Sequence, residues 1–223
     1  MQIRKLGYTI VSSVFTEGEC DELLFALESQ MLARSRAGAR HLLSVPPISK
    51  LASDKRLISI ATEILDRPAR PFRVTLFDKS ASANWSVVWH QDTALPVRVK
   101  VAAQGWGPWS RKAGVLYAHA PVEALSKVVA LRVHLDESSL LNGPLRVIPE
   151  SHLLGVLQDD VVARVAREHT PVDCVVCRGG VVAMRPLIIH SSARVRSAAA
   201  RRVLHIEYTS SFEIVPGVEL FAA

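Results

Sequence analysis

The chain has little cysteine, few aromatic residues and no long apolar run. Its three cysteines among 223 residues, Cys20, Cys174 and Cys177, are too few and too odd in number for a disulfide-stapled scaffold, and they fit a reducing compartment. Cys174 and Cys177 have the spacing of a redox or zinc pair, yet no second pair accompanies them. Set among β-branched residues in an expected strand, they read as two buried core thiols. No apolar run reaches the roughly 18 residues that span a bilayer. Residues 1–8 lack the apolar core of a signal peptide, and residues 220–223 do not match the Ser-Lys-Leu peroxisomal address. The expectation is a cytoplasmic protein with no membrane partner. Aromatics are 6% of the chain, which leaves little material for base-stacking platforms. The net charge of +6 favours anionic partners. Its basic residues are scattered, and the densest group is Arg194, Arg196, Arg201 and Arg202. A small anionic ligand accounts for that group, and no nucleic acid partner is expected.

What is present is enough chain to bury a full core. At 223 residues the chain is expected to form one domain. Residues 1–70 read as helical support, 71–212 as a β core, and 96–127 as a possible lid. Thr16 and Glu19 have the spacing of a capping box. The helix after them places Leu23, Leu24, Ala26, Leu27 and Met31 at helical spacing. Gly38 follows in a loop. Ser53 is expected to cap a second helix, with Ile58, Ile60, Ala61, Ile64 and Leu65 on its buried side. From Phe72 onward the pattern is β, with strands expected at 72–79, 85–93, 128–136, 144–148, 173–177, 181–190 and 202–210. Asn142-Gly143 is a turn signal, and a helix near 158–168 interrupts the series. Short strands with turn punctuation indicate a sandwich or jelly roll rather than a parallel α/β sheet.

Within this pattern, Trp89-His90-Gln91-Asp92 carries the most chemistry. His90 and Asp92, two apart on an expected strand, share a face. With one more histidine they make the facial triad of non-haem iron(II) oxygenases. His190, at the end of the apolar stretch 181–189, is the candidate third ligand. Arg201, eleven residues on, suits bidentate capture of a carboxylate. On the strand around 130–136, Leu131, Val133 and Leu135 share one face and Arg132, His134 and Asp136 the other. That polar face lines a cavity or meets solvent. Thr75 and Lys79 alternate on the strand before the metal motif. His41, His119, His152, His169 and His205 follow no such pattern and receive no role.

These motifs, with their surroundings, resemble the phytanoyl-CoA dioxygenase family. The resemblance lies in Leu76-Phe77-Asp78-Lys79, Asn84-Trp85, the His90/Asp92 segment, and the stretch from Asn142-Gly143 to Ile148-Pro149 closed by Ser151-His152. It continues through His190-Ser191-Ser192, Arg201-Arg202 and Glu207-Tyr208, spanning about residues 70–210. It implies a mainly β, cupin-like double-stranded β-helix that uses Fe(II), 2-oxoglutarate as cosubstrate and O2. Two residues depart from the family pattern. Glu150 stands where the family usually has glycine, at a turn where glycine's backbone freedom is of use. Val195 stands where it often has asparagine, on the substrate side. Relatives that halogenate lack the carboxylate ligand, so Asp92 points to hydroxylation.

The resemblance then assigns roles. His90, Asp92 and His190 would hold the metal. Arg201 would pair with the distal carboxylate of 2-oxoglutarate, Ser192 would donate a hydrogen bond to it, and Arg132 and Thr75 would add contacts. The primary substrate would be a small organic molecule, with the chain's positive charge pointing to a negative group on it. In residues 96–127, Trp106 and Arg111 are the candidate substrate contacts if the segment is a lid. The other reading is a surface excursion whose tryptophans fill a satellite core. Two other functions remain open here: a jelly roll that binds a metal or ligand without turnover, and a nucleic-acid demethylase.

Overall fold

The computed structural model describes residues 2–35, 38–79, 85–194 and 199–223. In chain order the first third holds α1 (Ile3–Leu6), β1 (Tyr8–Val11), α2 (Glu17–Glu28), β2 (Arg34–Ser35), β3 (Gly38–Arg40), α3 (Pro46–Ala52), α4 (Lys55–Leu65) and β4 (Arg70–Lys79). There follow β5 (Val87–His90), β6 (Ala94–Pro96), β7 (Trp109–Lys112), β8 (Val115–His119), α5 (Val122–Leu125), β9 (Val128–His134) and β10 (Leu145–Val147). The last part holds α6 (Asp159–Glu168), β11 (Val172–Cys174), β12 (Val181–Met184), β13 (His190–Ser192), β14 (Arg201–Thr209), β15 (Glu213–Val215) and β16 (Val218–Glu219).

The fold is a mainly β jelly roll. Its larger sheet has seven strands in the order β1-β12-β9-β14-β4-β3-β2, and its smaller sheet four, β11-β10-β13-β5. All the pairings are antiparallel. Strand alternation gives the larger sheet two different faces. Val74, Leu76, Leu131, Val133, Leu204 and Ile206 are buried with α2, α3 and α4 in the main core. The opposite face carries Arg73, Thr75, Lys79, Arg132, His134, Arg201, His205 and Glu207, and turns toward the smaller sheet. Apolar residues from both sheets, among them Leu145, Val147, Val182 and Met184, close one part of the space between them. The rest is a polar chamber.

The N-terminal helices form where local chemistry starts them. Thr16 and Glu19 make the expected capping box on α2, with Thr16 N–H donating to Glu19 Oε2 at 2.8 Å and Glu19 N–H to Thr16 Oγ1 at 3.2 Å. Such a cap contributes about 1 kcal/mol. Cys20, Leu24 and Leu27 form the buried stripe of α2. Met31 is fully exposed, because α2 ends at Glu28. The cap of α4 is Asp54, whose Oδ1 accepts from Arg56 N–H, and not Ser53, which closes α3. Gly38 lies in β3 rather than in a loop; a Cβ there would meet Leu76 O at 1.9 Å.

The expected strand 181–190 is divided. Residues 185–189 leave the larger sheet, Pro186 having no N–H for a ladder. The chain then re-enters on the smaller sheet as β13. Cys174 is buried and its thiol is pushed up to about 12 by burial, but Cys177 is exposed, so the pair is one core thiol and one surface thiol. Glu150 has φ +68°, the left-handed region that favours glycine. Glu150→Gly is expected to relieve that strain and stabilise the protein by about 1 kcal/mol, seen as a rise of about 3 °C in the thermal midpoint.

Candidate metal centre

His90 is the last residue of β5, and β13 places His190 directly across from it. The two imidazole centroids are 4.1 Å apart. Asp92 lies just past the end of the strand, where its N–H donates to Pro186 O at 2.9 Å. The expected strand 85–93 thus stops at His90, yet the carboxylate stays beside the imidazoles. Asp92 Oδ1 is 3.7 Å from His90 Nε2, and Asp92 Oδ2 is 3.5 Å from His190 Nε2. One ligand atom from each residue falls within 4.8 Å of the others, a spacing that could hold a metal ion. Cis ligands about 2.1 Å from an octahedral ion are about 3 Å apart, so a small side-chain adjustment closes the set.

Each imidazole is oriented by its other nitrogen. His90 Nδ1 lies 2.8 Å from Val88 O, and His190 Nδ1 lies 2.9 Å from Ile188 O. A carbonyl only accepts, so both Nδ1 atoms carry the proton and both Nε2 lone pairs face Asp92. Burial pushes His190 down to about 4 against the opposing pull of Asp92, which keeps it neutral, the form that binds metal. Burial works to raise the Asp92 carboxyl, but His190 and His90 outweigh it and hold the group below its ordinary value. Gln91 fixes the segment from the other side. Its amide donates to Gly155 O and Leu187 O, both at 2.8 Å, and its Oε1 accepts from Leu157 N–H.

The triad sits in a cavity of about 380 Å³ shared with Thr75, Arg132, Ser192, Arg201 and His205. Strand pairing aligns Arg132, His205, Thr75 and Arg40 in one row across β9, β14, β4 and β3. Arg132 Nη1 donates to His205 Nδ1 at 3.1 Å, so that nitrogen accepts. Arg201, 2% exposed, donates from Nε to Asn142 O at 3.2 Å and from Nη2 to Ser192 Oγ at 3.2 Å. Its Nη1, and Nε of Arg132, are buried with no hydrogen-bond partner among the described residues. Burial pushes Arg201 down to about 9 and Arg132 to about 10. Two buried guanidiniums with unused donors fit a ligand that carries carboxylates.

Several placements differ from the sequence reading. Ser192 gives its proton to Gly143 O at 3.0 Å and accepts from Lys79 Nζ at 2.6 Å and from Arg201. It holds two cations rather than donating into the cavity. Lys79 is fully buried; burial and the charges of Arg201 and Arg132 push it down to about 7. His205 and Lys79 therefore belong to the site's surroundings. The signal for His205 was its register with Arg201, two pairs along the same alternating face. Trp106 and Trp109 pack against the apolar group around Phe72, Leu95 and Leu125, a satellite core. Arg111 is exposed and donates to Gly114 O at 3.1 Å. Neither Trp106 nor Arg111 lines the cavity. The 96–127 segment reaches it through Lys112 and His119, which the sheet β6-β8-β7 carries to the mouth. Lys112 is one residue from Arg111, and alternation sends the two to opposite faces. Val195 and Asn84 lie outside the described residues.

Among the described residues no helix is long and apolar enough to cross a membrane. No curated protein sequence matches the chain. Solved structures do. AviO1 from Streptomyces viridochromogenes Tue57 aligns over 100% of this chain and 95% of its own, at 22% identity and a TM-score of 0.69. EctD from S. alaskensis with bound Fe aligns over 93% of this chain and 74% of its own, at 19% identity and a TM-score of 0.68. HygX from Streptomyces hygroscopicus with nickel and 2-oxoglutarate bound aligns over 94% and 85%, at 18% identity and a TM-score of 0.68. At these identities the likeness is one of fold. The family model for phytanoyl-CoA dioxygenase matches residues 3–203, nine-tenths of the chain, and the chain belongs to that family.

Proposed function

We propose that this protein is an iron(II)- and 2-oxoglutarate-dependent dioxygenase that hydroxylates a small organic substrate carrying a negative group. The observation that carries the reading is the placement of His90, Asp92 and His190 in one cavity with the unpaired donors of Arg201 and Arg132. That HygX is described with a metal and 2-oxoglutarate bound supports it. His90, Asp92 and His190 would hold the iron by two Nε2 atoms and a carboxylate oxygen, leaving the other side of the ion open to exogenous ligands. When bound, iron(II), 2-oxoglutarate and O2 supply a net oxidation in which the keto-acid becomes succinate and CO2 and a substrate C–H becomes C–OH.

The chain's own residues do the rest. Arg201 Nη1 receives the distal carboxylate, and Ser192, Asn142 and Lys79 keep that guanidinium aimed. Arg132, steadied by His205, offers the second cation, and Thr75 lies beside them on the same face. Phe77 and Leu145 give the cavity part of its apolar lining, and a lower local dielectric strengthens such charge pairs. Adding iron(II) and 2-oxoglutarate in air is expected to release succinate. Succinate release no greater than that of Asp92→Ala would leave a ligand-binding jelly roll instead.

A further expectation concerns protons. Lys79 near 7 is largely neutral at pH 8, and a carboxylate arriving at Arg201 favours its charged form. Binding of 2-oxoglutarate at pH 8 should therefore take up to about one proton, falling toward zero at pH 6. Calorimetry in buffers of different ionisation enthalpy reads this number, and Lys79→Met should remove it. Buffer-independent heats at pH 8 in the wild type would contradict it.

A further inference from the structure

The cavity holds more positive charge than the metal and keto-acid account for. Arg132 and Arg201 are assigned to 2-oxoglutarate, and Arg73 is ion-paired with Glu207 and donates to Ala94 O at 3.0 Å. Two more cations line the cavity, Arg40 and Lys112. Neither meets a carboxylate among the described residues. They come from separate elements, the end of β3 and the end of β7, and both are exposed. Beside Lys112 lies Tyr117, which is 2% exposed. Lys112 Nζ stands 5.0 Å from the Tyr117 ring centroid and Arg73 Cζ stands 5.5 Å from it. The Tyr117 hydroxyl is 2.8 Å from His41 Nε2, so the ring is locked in place. Burial, with Arg40 and Arg73, pushes Lys112 below its ordinary value against the opposing pull of Asp92.

We propose that Arg40 and Lys112, which line the same cavity as the triad, form a subsite that receives an oxyanion group, carboxylate or phosphate, of the primary substrate. It rests on the oxygenase reading only in calling the guest a substrate. Two cations in the cavity that holds the triad would anchor one end of a molecule and leave the other toward His90 and Asp92. The subsite is distinct from the Arg201 end: the Arg201–Lys79 row lies four residue pairs along β4 and β14 from the His205–Thr75 row. Arg40 is in register with Thr75.

The test titrates phenyl phosphate, benzoate and benzyl alcohol calorimetrically into nickel-loaded protein saturated with 2-oxoglutarate. The anions are expected to bind and the alcohol not to. Arg40→Ala and Lys112→Ala should each weaken anion binding about fivefold, less in high salt, with 2-oxoglutarate affinity unchanged. Binding of one anion alone supports the subsite and names its group. Three results overturn it: no anion binding, equal binding by the double variant, or anion binding only without 2-oxoglutarate, which would place the probe at Arg201. If the wild type takes up neither metal nor 2-oxoglutarate, the oxygenase reading fails. The same titration on metal-free protein still decides the subsite, which requires phenyl phosphate binding that depends on Arg40 and Lys112.

Discussion

Asp92→Ala and His190→Ala are each expected to weaken iron(II) binding by more than about 100-fold, since loss of even an outer partner of a metal ligand costs about 10–100-fold. The fold should survive. Asp92 anchors its segment by a backbone N–H to Pro186 O, which alanine keeps. His190 lies in a strand whose pairing with β10 and β5 is made by the main chain. Iron titration together with thermal unfolding separates the two effects. Unchanged iron affinity in both variants would remove these residues from the ligand set, and melting of both would show the cluster to be structural.

Arg201→Ala should raise the 2-oxoglutarate dissociation constant while leaving iron binding in place. A charge-assisted pair with a carboxylate is worth about 1.5–3 kcal/mol, or roughly 10- to 150-fold. Arg202→Ala is the control, because the next side chain along β14 points the other way. Arg202 is held on the outer side by Asp136, with Nε to Oδ2 and Nη2 to Oδ1 both at 2.8 Å. Its loss should cost about 1 kcal/mol of stability and leave 2-oxoglutarate affinity untouched. The reverse pattern would mean that the cavity face of β14 is misassigned by one residue.

Much of this site was legible because strand alternation is a strict rule. His90 and Asp92 could be placed on one face from spacing alone, while His190 and Arg201 were candidates from neighbouring segments and Arg132 was left between cavity and solvent. The same alternation extends to neighbouring positions. Arg201, Val203, His205 and Glu207 alternate with Leu204 and Ile206, so His205 was readable as an inward residue, as was Lys79 opposite Arg201. What spacing could not show was long-range pairing. That His190 faces His90 depends on the chain leaving one sheet at Pro186 and entering the other, which no local pattern specifies. Trp106 and Arg111, the substrate contacts expected in residues 96–127, lie off the cavity for a related reason. Its tryptophans and cations were conspicuous, but which of Arg111 and Lys112 faces the cavity is set by the pairing of β7 with β8. Met31 and Ser53 were misplaced by helix ends, where a residue or two decides exposure and capping.

A crystal structure of the protein grown with nickel(II) and 2-oxoglutarate tests the site most directly. The expected map shows one ion bonded to His90 Nε2, His190 Nε2 and an Asp92 oxygen, with the keto-acid spanning from that ion to Arg201 Nη1. A metal bound elsewhere, or a keto-acid whose distal carboxylate does not meet Arg201, would contradict it.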